Sequence, residues 1–178
     1  MLDLETLSTR NCAAILVIAG IKFNLNSDSV PLDKVDKKNT FYRRIDADSC
    51  KEIDLHVDEK TVAWWKTQDE KIQEEAFGKE RIPLKQALQE FSSWYGNSSK
   101  IWSQGANFDI PILDEAYQRC GMSSPWKFWS VRDTRTVYDL AGLSARDFPQ
   151  DNLHHALHDC QRQIDALKKS MRRIRSKE

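Results

Sequence analysis

The most apolar stretch of the chain is residues 13–23, AAILVIAGIKF, a β-branched run that predicts a buried strand ending in the turn-rich Asn24-Leu25-Asn26-Ser27-Asp28. Thr40–Ile45, TFYRRI, predicts a second strand paired with the first across a loop. From Asp58 the period changes. Val62, Trp65, Ile72, Ala76 and Phe77 recur at helical spacing, with Asp58 able to cap the start and Gly78 to stop it. After Pro83, Leu84, Leu88, Phe91 and Tyr95 mark another helix. Lys100-Ile101-Trp102-Ser103 predicts a short strand running into Gln104-Gly105-Ala106-Asn107-Phe108-Asp109. The next helix is expected to open with Pro111, carry Ile112, Leu113, Ala116 and Tyr117, and end at Gly121. Lys127–Val131 suggests one more strand, and Asp133 a cap for a helix through Leu140 that stops at Gly142. A loop around Pro149-Gln150-Asp151-Asn152 leads to the longest helix, roughly His155–Arg175. Its apolar residues Ala156, Cys160, Ile164, Leu167, Met171 and Ile174 step by three and four. With no repeat, low-complexity tract or linker, residues 1–178 are expected to form one α/β domain: early strands, then strand–helix alternation.

Composition removes several classes. At 40% hydrophobic and 30% charged, with six Gly and five Pro, the chain is neither disordered nor collagen-like. No apolar run approaches the roughly 20 residues that span a bilayer, and the acidic start Met1-Leu2-Asp3-Leu4-Glu5 is unlike a signal peptide. The expectation is a cytoplasmic protein without membrane contact. Its 27 basic and 27 acidic residues argue against holding nucleic acid mainly through a broad basic surface. They leave open an enzyme that neutralises phosphates locally with metal ions. Cys12, Cys50, Cys120 and Cys160 are far apart and lack a C-x-x-C pair, so buried or idle thiols are expected. No Gly-rich phosphate cradle is present.

Three acidic sites stand out. Asp3 and Glu5 are two apart, so in a strand both carboxylates project to one face. Asp109 follows a strand and turn, and Asp159 lies in His154-His155-Ala156-Leu157-His158-Asp159 on the long helix. Four carboxylates drawn from distant segments could hold two hard ions ~3.5–4 Å apart, the arrangement used for in-line phosphoryl chemistry. Taken singly, each has a plainer role: surface acid, helix cap, solvated helix residue. Only Met1 and Leu2 precede Asp3, so its strand is expected to be short or its start trimmed.

Taken together, Asp3-x-Glu5-Thr6, Asn107-Phe108-Asp109 and His154-x-Ala156-Leu157-x-Asp159 resemble, in order and spacing, the three exonuclease motifs of the DEDD (DnaQ-like) superfamily, histidine subtype. The phrases DLETLSTR, VAWW, SQGANFD and FWSVRDTRT are similar to the branch of bacterial RNase AS and phage exonuclease A-like proteins. The resemblance spans nearly the whole chain. It implies an RNase H-like fold, a mixed five-stranded sheet flanked by helices with Asp3 and Glu5 on a central first strand. It implies a 3′→5′ exonuclease that binds the 3′ end of single-stranded RNA or DNA and releases nucleoside 5′-monophosphates, RNA being favoured. Asp3, Glu5, Asp109 and Asp159 would hold two Mg²⁺ or Mn²⁺ ions, and His154 would be the general base. A DNA exonuclease of phage type, a dinucleotide-cleaving enzyme and a non-catalytic nucleic-acid-binding module are the alternatives.

Helical geometry alone would choose differently among the histidines. His154 and Asp159 are five residues apart, about 140° around a helix axis, whereas His155 and Asp159 share a face. The motif puts the base in the loop before the helix, and His154 is the choice; His155, His158 and His56 are then expected to be ordinary solvent-facing residues. By the same resemblance Thr6 and Leu7 would line the terminal sugar and base, with Asn107 and Phe108 beside them. Trp64, Trp65 and Phe108 are candidates for base stacking, worth ~1–3 kcal/mol. Adjacent Trp64 and Trp65 would divide between core and cleft. Arg132-Asp133-Thr134-Arg135-Thr136 could cap a helix, contact phosphate or reach a neighbour in a homodimer. The basic residues from Lys168 onward could track phosphates or form a solvated face.

Overall fold

The computed structural model describes residues 1–148 and 154–176. The chain begins with two antiparallel strands, β1 (Leu2–Thr6) and β2 (Ile15–Ile21), in which Asp3 faces Ala19 and Glu5 faces Val17 across the ladder. β3 (Thr40–Ile45) pairs antiparallel with the other edge of β2. Every residue of β2 is buried, so its uninterrupted apolar run reflects cover on both faces. A short helix, α1 (Ala47–Lys51), follows, capped by Asp46.

The single helix expected from Asp58 to Gly78 is two. α2 (Glu59–Trp65) is capped by Asp58, and α3 (Glu70–Phe77) starts afresh at Asp69, whose carboxylate accepts from the Lys71 N–H at 2.9 Å. The two-residue β4 (Arg81–Ile82) then lies parallel to β3, and α4 (Leu84–Tyr95) packs on that part of the sheet.

β5 (Ile101–Ser103) turns directly into α5 (Ala106–Arg119) through Gly105, whose φ of +97° lies in the left-handed region open to glycine. This helix starts five residues before the expected Pro111, so Asp109 sits inside its first turn and Pro111 in its interior. Lys127–Val131 is not a strand either. Phe128–Ser130 forms a 3-10 turn with Phe128 and Trp129 exposed, and β6 (Val131–Asp133) starts later because its register is set by parallel pairing with β5. α6 (Thr134–Ala141) and α7 (Ala156–Arg175) complete the described fold, with α7 laid across β1 and β2. The expected loop at Pro149–Asn152 lies outside the described residues.

The architecture is α/β, a mixed sheet flanked by helices. In place of one five-stranded sheet, the described strands form a four-stranded ladder in the order β1-β2-β3-β4 and a two-stranded ladder of β5 and β6. β1 is therefore terminal in its ladder and not central, with β5 and α5 packed beside its free edge. That free edge is where the site forms. The basic end of α7 has a local use: Lys168 Nζ donates to the Asp28 carbonyl, Arg172 pairs with the Asp28 carboxylate at 2.7 Å, and Arg175 bonds Asn26. These cations pin the 24–28 loop.

Candidate active site

β1 presents Asp3 and Glu5 on one face because strand side chains alternate. α7 brings Asp159 against them from its first turn. One carboxylate oxygen from each of the three lies within 4.8 Å of the others. Asp109 arrives from α5 on the open edge of β1, and the Leu4 N–H, between the two strand acids, donates to its Oδ1 at 3.2 Å. The ladder register shifts between Glu5 and Thr6, a bulge where the chain leaves the cluster for the adjoining cleft.

Glu5, Asp109 and Asp159 are each less than a tenth exposed. Burial, then repulsion from Asp109, Glu5 and Asp159, pushes the Asp3 carboxyl well above the usual range; the Gln163 amide, donating at 2.7 Å, opposes this. Glu5 is raised well above its range by burial and by Asp159 and Asp109. Asp109 is pushed up to about 7 by burial, against the bond from Leu4 and the charge of Arg135. Such a cluster holds its carboxylates ionised only at a cost that a bound cation would offset. An all-oxygen donor set of this kind suits hard divalent cations.

The histidines separate clearly. The His154 backbone has a φ of +66°, a left-handed conformation that costs a non-glycine residue roughly 1–2 kcal/mol. Its N–H is held by Asp159 Oδ2 at 3.0 Å. Its ring meets Trp64 edge-on, with centroids 4.9 Å apart, and Trp64 lines the cleft next to Glu5. His155 stands at the N-terminal boundary of α7 and turns the other way, with its ring 5.8 Å from Tyr42 and Nε2 3.7 Å from Glu75. His155 is thus partly buried in a Tyr42–Arg44–Glu75 network and not simply solvent-facing; His158 is exposed. His56 bonds Ser8 at 2.8 Å, away from the acids.

A cleft of about 370 Å³ adjoins Glu5, lined by Thr6, Lys60, Thr61, Trp64 and Phe108 among others. Both tryptophans touch this cleft, but they differ sharply in burial. Trp65 is 1% exposed and its indole N–H donates to the Thr6 carbonyl at 2.9 Å, tying α2 to the end of β1. Trp64 is 42% exposed and also lines the cleft. Two expected contacts fall elsewhere: Leu7 is buried in the core, and Asn107 is exposed outside the cleft lining. Asp133 caps α6 and also accepts from the Ala106 N–H at 3.0 Å, joining β6 to the start of α5. Arg132 bonds the carbonyls of Trp129 and Val131.

Several neighbours escaped the sequence reading. Arg162 and Gln163, three and four residues after Asp159, bond Asp159 and Asp3 respectively. Helical spacing on α7 was the available signal. Lys60 and Thr61 stand one turn before Trp64 and face the same cleft. Thr9, exposed in the loop after β1, completes that wall.

Residues 1–171, almost the full length of the chain, fit the family model described as the 3′-5′ exoribonuclease Rv2179c-like domain. The protein is a 3′-5′ exonuclease, a hydrolase acting on nucleic acid. Its chain belongs to the 3′-5′ exoribonuclease Rv2179c-like family. A comparison with curated proteins gave no match. No helix among the described residues is long and apolar enough to cross a membrane.

Proposed function

We propose that the protein is a divalent-metal-dependent 3′→5′ exoribonuclease of the DEDD type, histidine subtype, on an RNase H-like fold, releasing nucleoside 5′-monophosphates. The observation that carries this reading is the convergence of Asp3, Glu5 and Asp159 oxygens within 4.8 Å, with Asp109 bonded to the strand between two of them. These four carboxylates would hold two Mg²⁺ or Mn²⁺ ions. When bound, such ions activate a water and stabilise the leaving oxygen. Gln163 orients Asp3, and the Leu4 N–H orients Asp109. His154 takes the proton of the attacking water, and its ring contact with Trp64 holds it over the cleft. The terminal base stacks on Trp64 or Phe108, and the wall at Thr6 grips the terminal sugar. This grip restricts attack to the last linkage.

The test is digestion of 5′-labelled RNA and DNA oligomers side by side, with Mg²⁺, with Mn²⁺ and with EDTA. The expected result is a ladder shortening from the 3′ end of RNA, stopped by EDTA and restored by either ion. Undiminished hydrolysis in EDTA would overturn the metal assignment. Shortening of DNA alone would make it a DNA exonuclease. Cleavage of a circular strand at a comparable rate would mean an endonuclease.

A further inference from the structure

We propose that Arg162 is an exchangeable counter-cation: it neutralises Asp159 in the metal-free protein, yields that carboxylate to an entering divalent ion, and then binds the phosphate of the nucleotide in the cleft. The proposal rests on the metal reading given above and adds to it a residue that no motif marks.

The geometry is that of a placeholder. Both Nε and Nη2 of Arg162 point at one oxygen, Asp159 Oδ1, at 3.2 and 2.8 Å, while Oδ2 is taken by the His154 N–H. Among the described residues this is the only ion pair made by any of the four acids. Asp3 and Asp109 are held by neutral donors, an amide and a backbone N–H. The Arg162 side chain is 16% exposed, so it is not sealed from solvent.

Asp159 Oδ1 already carries the Arg162 charge, which a divalent ion held by these carboxylates would have to displace. Two cations at one oxygen repel. Asp3 and Glu5 each bring an oxygen within 4.8 Å of Asp159, and their summed charge would favour a divalent ion there over a single guanidinium one turn along α7. Released, Arg162 presents a planar fork of N–H donors that matches two phosphate oxygens. Because one side chain serves both partners in turn, metal and nucleotide strengthen each other's binding. Thermodynamic reciprocity requires the coupling to run equally in both directions.

Calorimetric titration with Mn²⁺ alone, and with adenosine 5′-monophosphate at saturating Mn²⁺, tests this without turnover. Arg162→Gln should bind Mn²⁺ about fivefold more tightly, its competitor being gone. It should bind the nucleotide about tenfold more weakly, having lost a charge-assisted fork. Arg162→Lys keeps the aliphatic stem and the charge but not the fork, so Mn²⁺ affinity should stay near wild type while nucleotide affinity falls. If Arg162 only shapes the site, Arg162→Gln will weaken Mn²⁺ as well as nucleotide. Unchanged or weaker Mn²⁺ binding in Arg162→Gln therefore overturns the counter-cation role. Tighter Mn²⁺ with unaltered nucleotide affinity overturns the phosphate role. A wild-type protein that binds no Mn²⁺ overturns the metal reading itself and this proposal with it. Wild-type Mn²⁺ binding that Asp159→Asn abolishes and Arg162→Gln leaves untouched would refute this proposal alone.

Discussion

Replacing Asp109 with asparagine should make the metal-free protein harder to unfold while removing its activity. Asp109 is buried inside the first turn of α5, and its Oδ1 accepts the Leu4 N–H, a bond that an asparagine carbonyl can keep. What the substitution removes is charge. Burial lifts this carboxyl from an ordinary value of 3.8 to about 7. Between those values the folded protein keeps a proton that the unfolded chain has already released. Metal-free stability must then fall as the pH rises through this window, and the full cost is present above about pH 7. Taken at face value the displacement amounts to on the order of 4 kcal/mol. Water entry and local relaxation reduce it, and about 2 kcal/mol is a reasonable expectation, equivalent to roughly 4–8 °C in Tm for a chain of this size. Thermal unfolding followed by circular dichroism at pH 8 in EDTA should show Asp109→Asn melting later than wild type by that amount. At pH 5 the difference should shrink, because the wild-type carboxyl is then protonated. Added Mn²⁺ should raise the wild-type Tm more than that of the variant. A variant that melts at or below the wild-type temperature at pH 8 in EDTA would refute the claim that this carboxylate is held at a cost.

His154→Ala should lower kcat by roughly 10²–10⁴-fold at fixed pH and saturating metal, the usual worth of a positioned base. His155→Ala should cost little activity and instead lower Tm, since its ring contacts Tyr42 and Glu75; the reverse pattern would move the base to His155. Trp64→Ala should raise KM for RNA by about 5–150-fold with the fold unchanged, whereas Trp65→Ala should destabilise by ~3–5 kcal/mol, as urea titration would reveal. RNA ending in a 3′ phosphate should be digested far more slowly than the 3′-hydroxyl strand, while a 5′ phosphate should matter little. Equal rates on gel analysis would argue against a grip on the terminal sugar.

Much of this was legible in the sequence where local pattern and burial agree. The run that forms β2 could hardly be anything but a buried strand, and the three-and-four stepping of α7 gave its extent. What failed depends on partners or on short-range chemistry that periodicity does not register. Val62 and Trp65 stay in helical step with Ile72 and Ala76 across the break between α2 and α3, so the cap at Asp69 was masked. Phe128 and Trp129 look like strand residues, but the pairing of Ile101 with Val131 sets where β6 starts. The division into two ladders, with β1 terminal in one, is a matter of long-range pairing that no local pattern encodes. At the site, the resemblance named the four acids that the fold then brings near one another, whereas Arg162 and Gln163 became visible only when α7 turned them toward Asp159 and Asp3.

The cations at the end of α7 have a bearing on how the enzyme meets a long polymer. With Lys168, Arg172 and Arg175 engaged by the 24–28 loop, the cations that the described residues place at the cleft or the acid cluster are Lys60 in the cleft wall, Arg135 by Gly105 and Asp109, and Arg162 on Asp159. Three phosphate contacts on a single strand correspond to a salt slope of only about −2 in log affinity against log salt. Binding should therefore change modestly between dilute buffer and physiological ionic strength. The same economy leaves little to retain a shortened strand between cuts. Each nucleotide removed should then be followed by release and a fresh encounter, so a population of labelled RNA ends is expected to recede in step on a gel instead of one molecule being consumed while its neighbours wait.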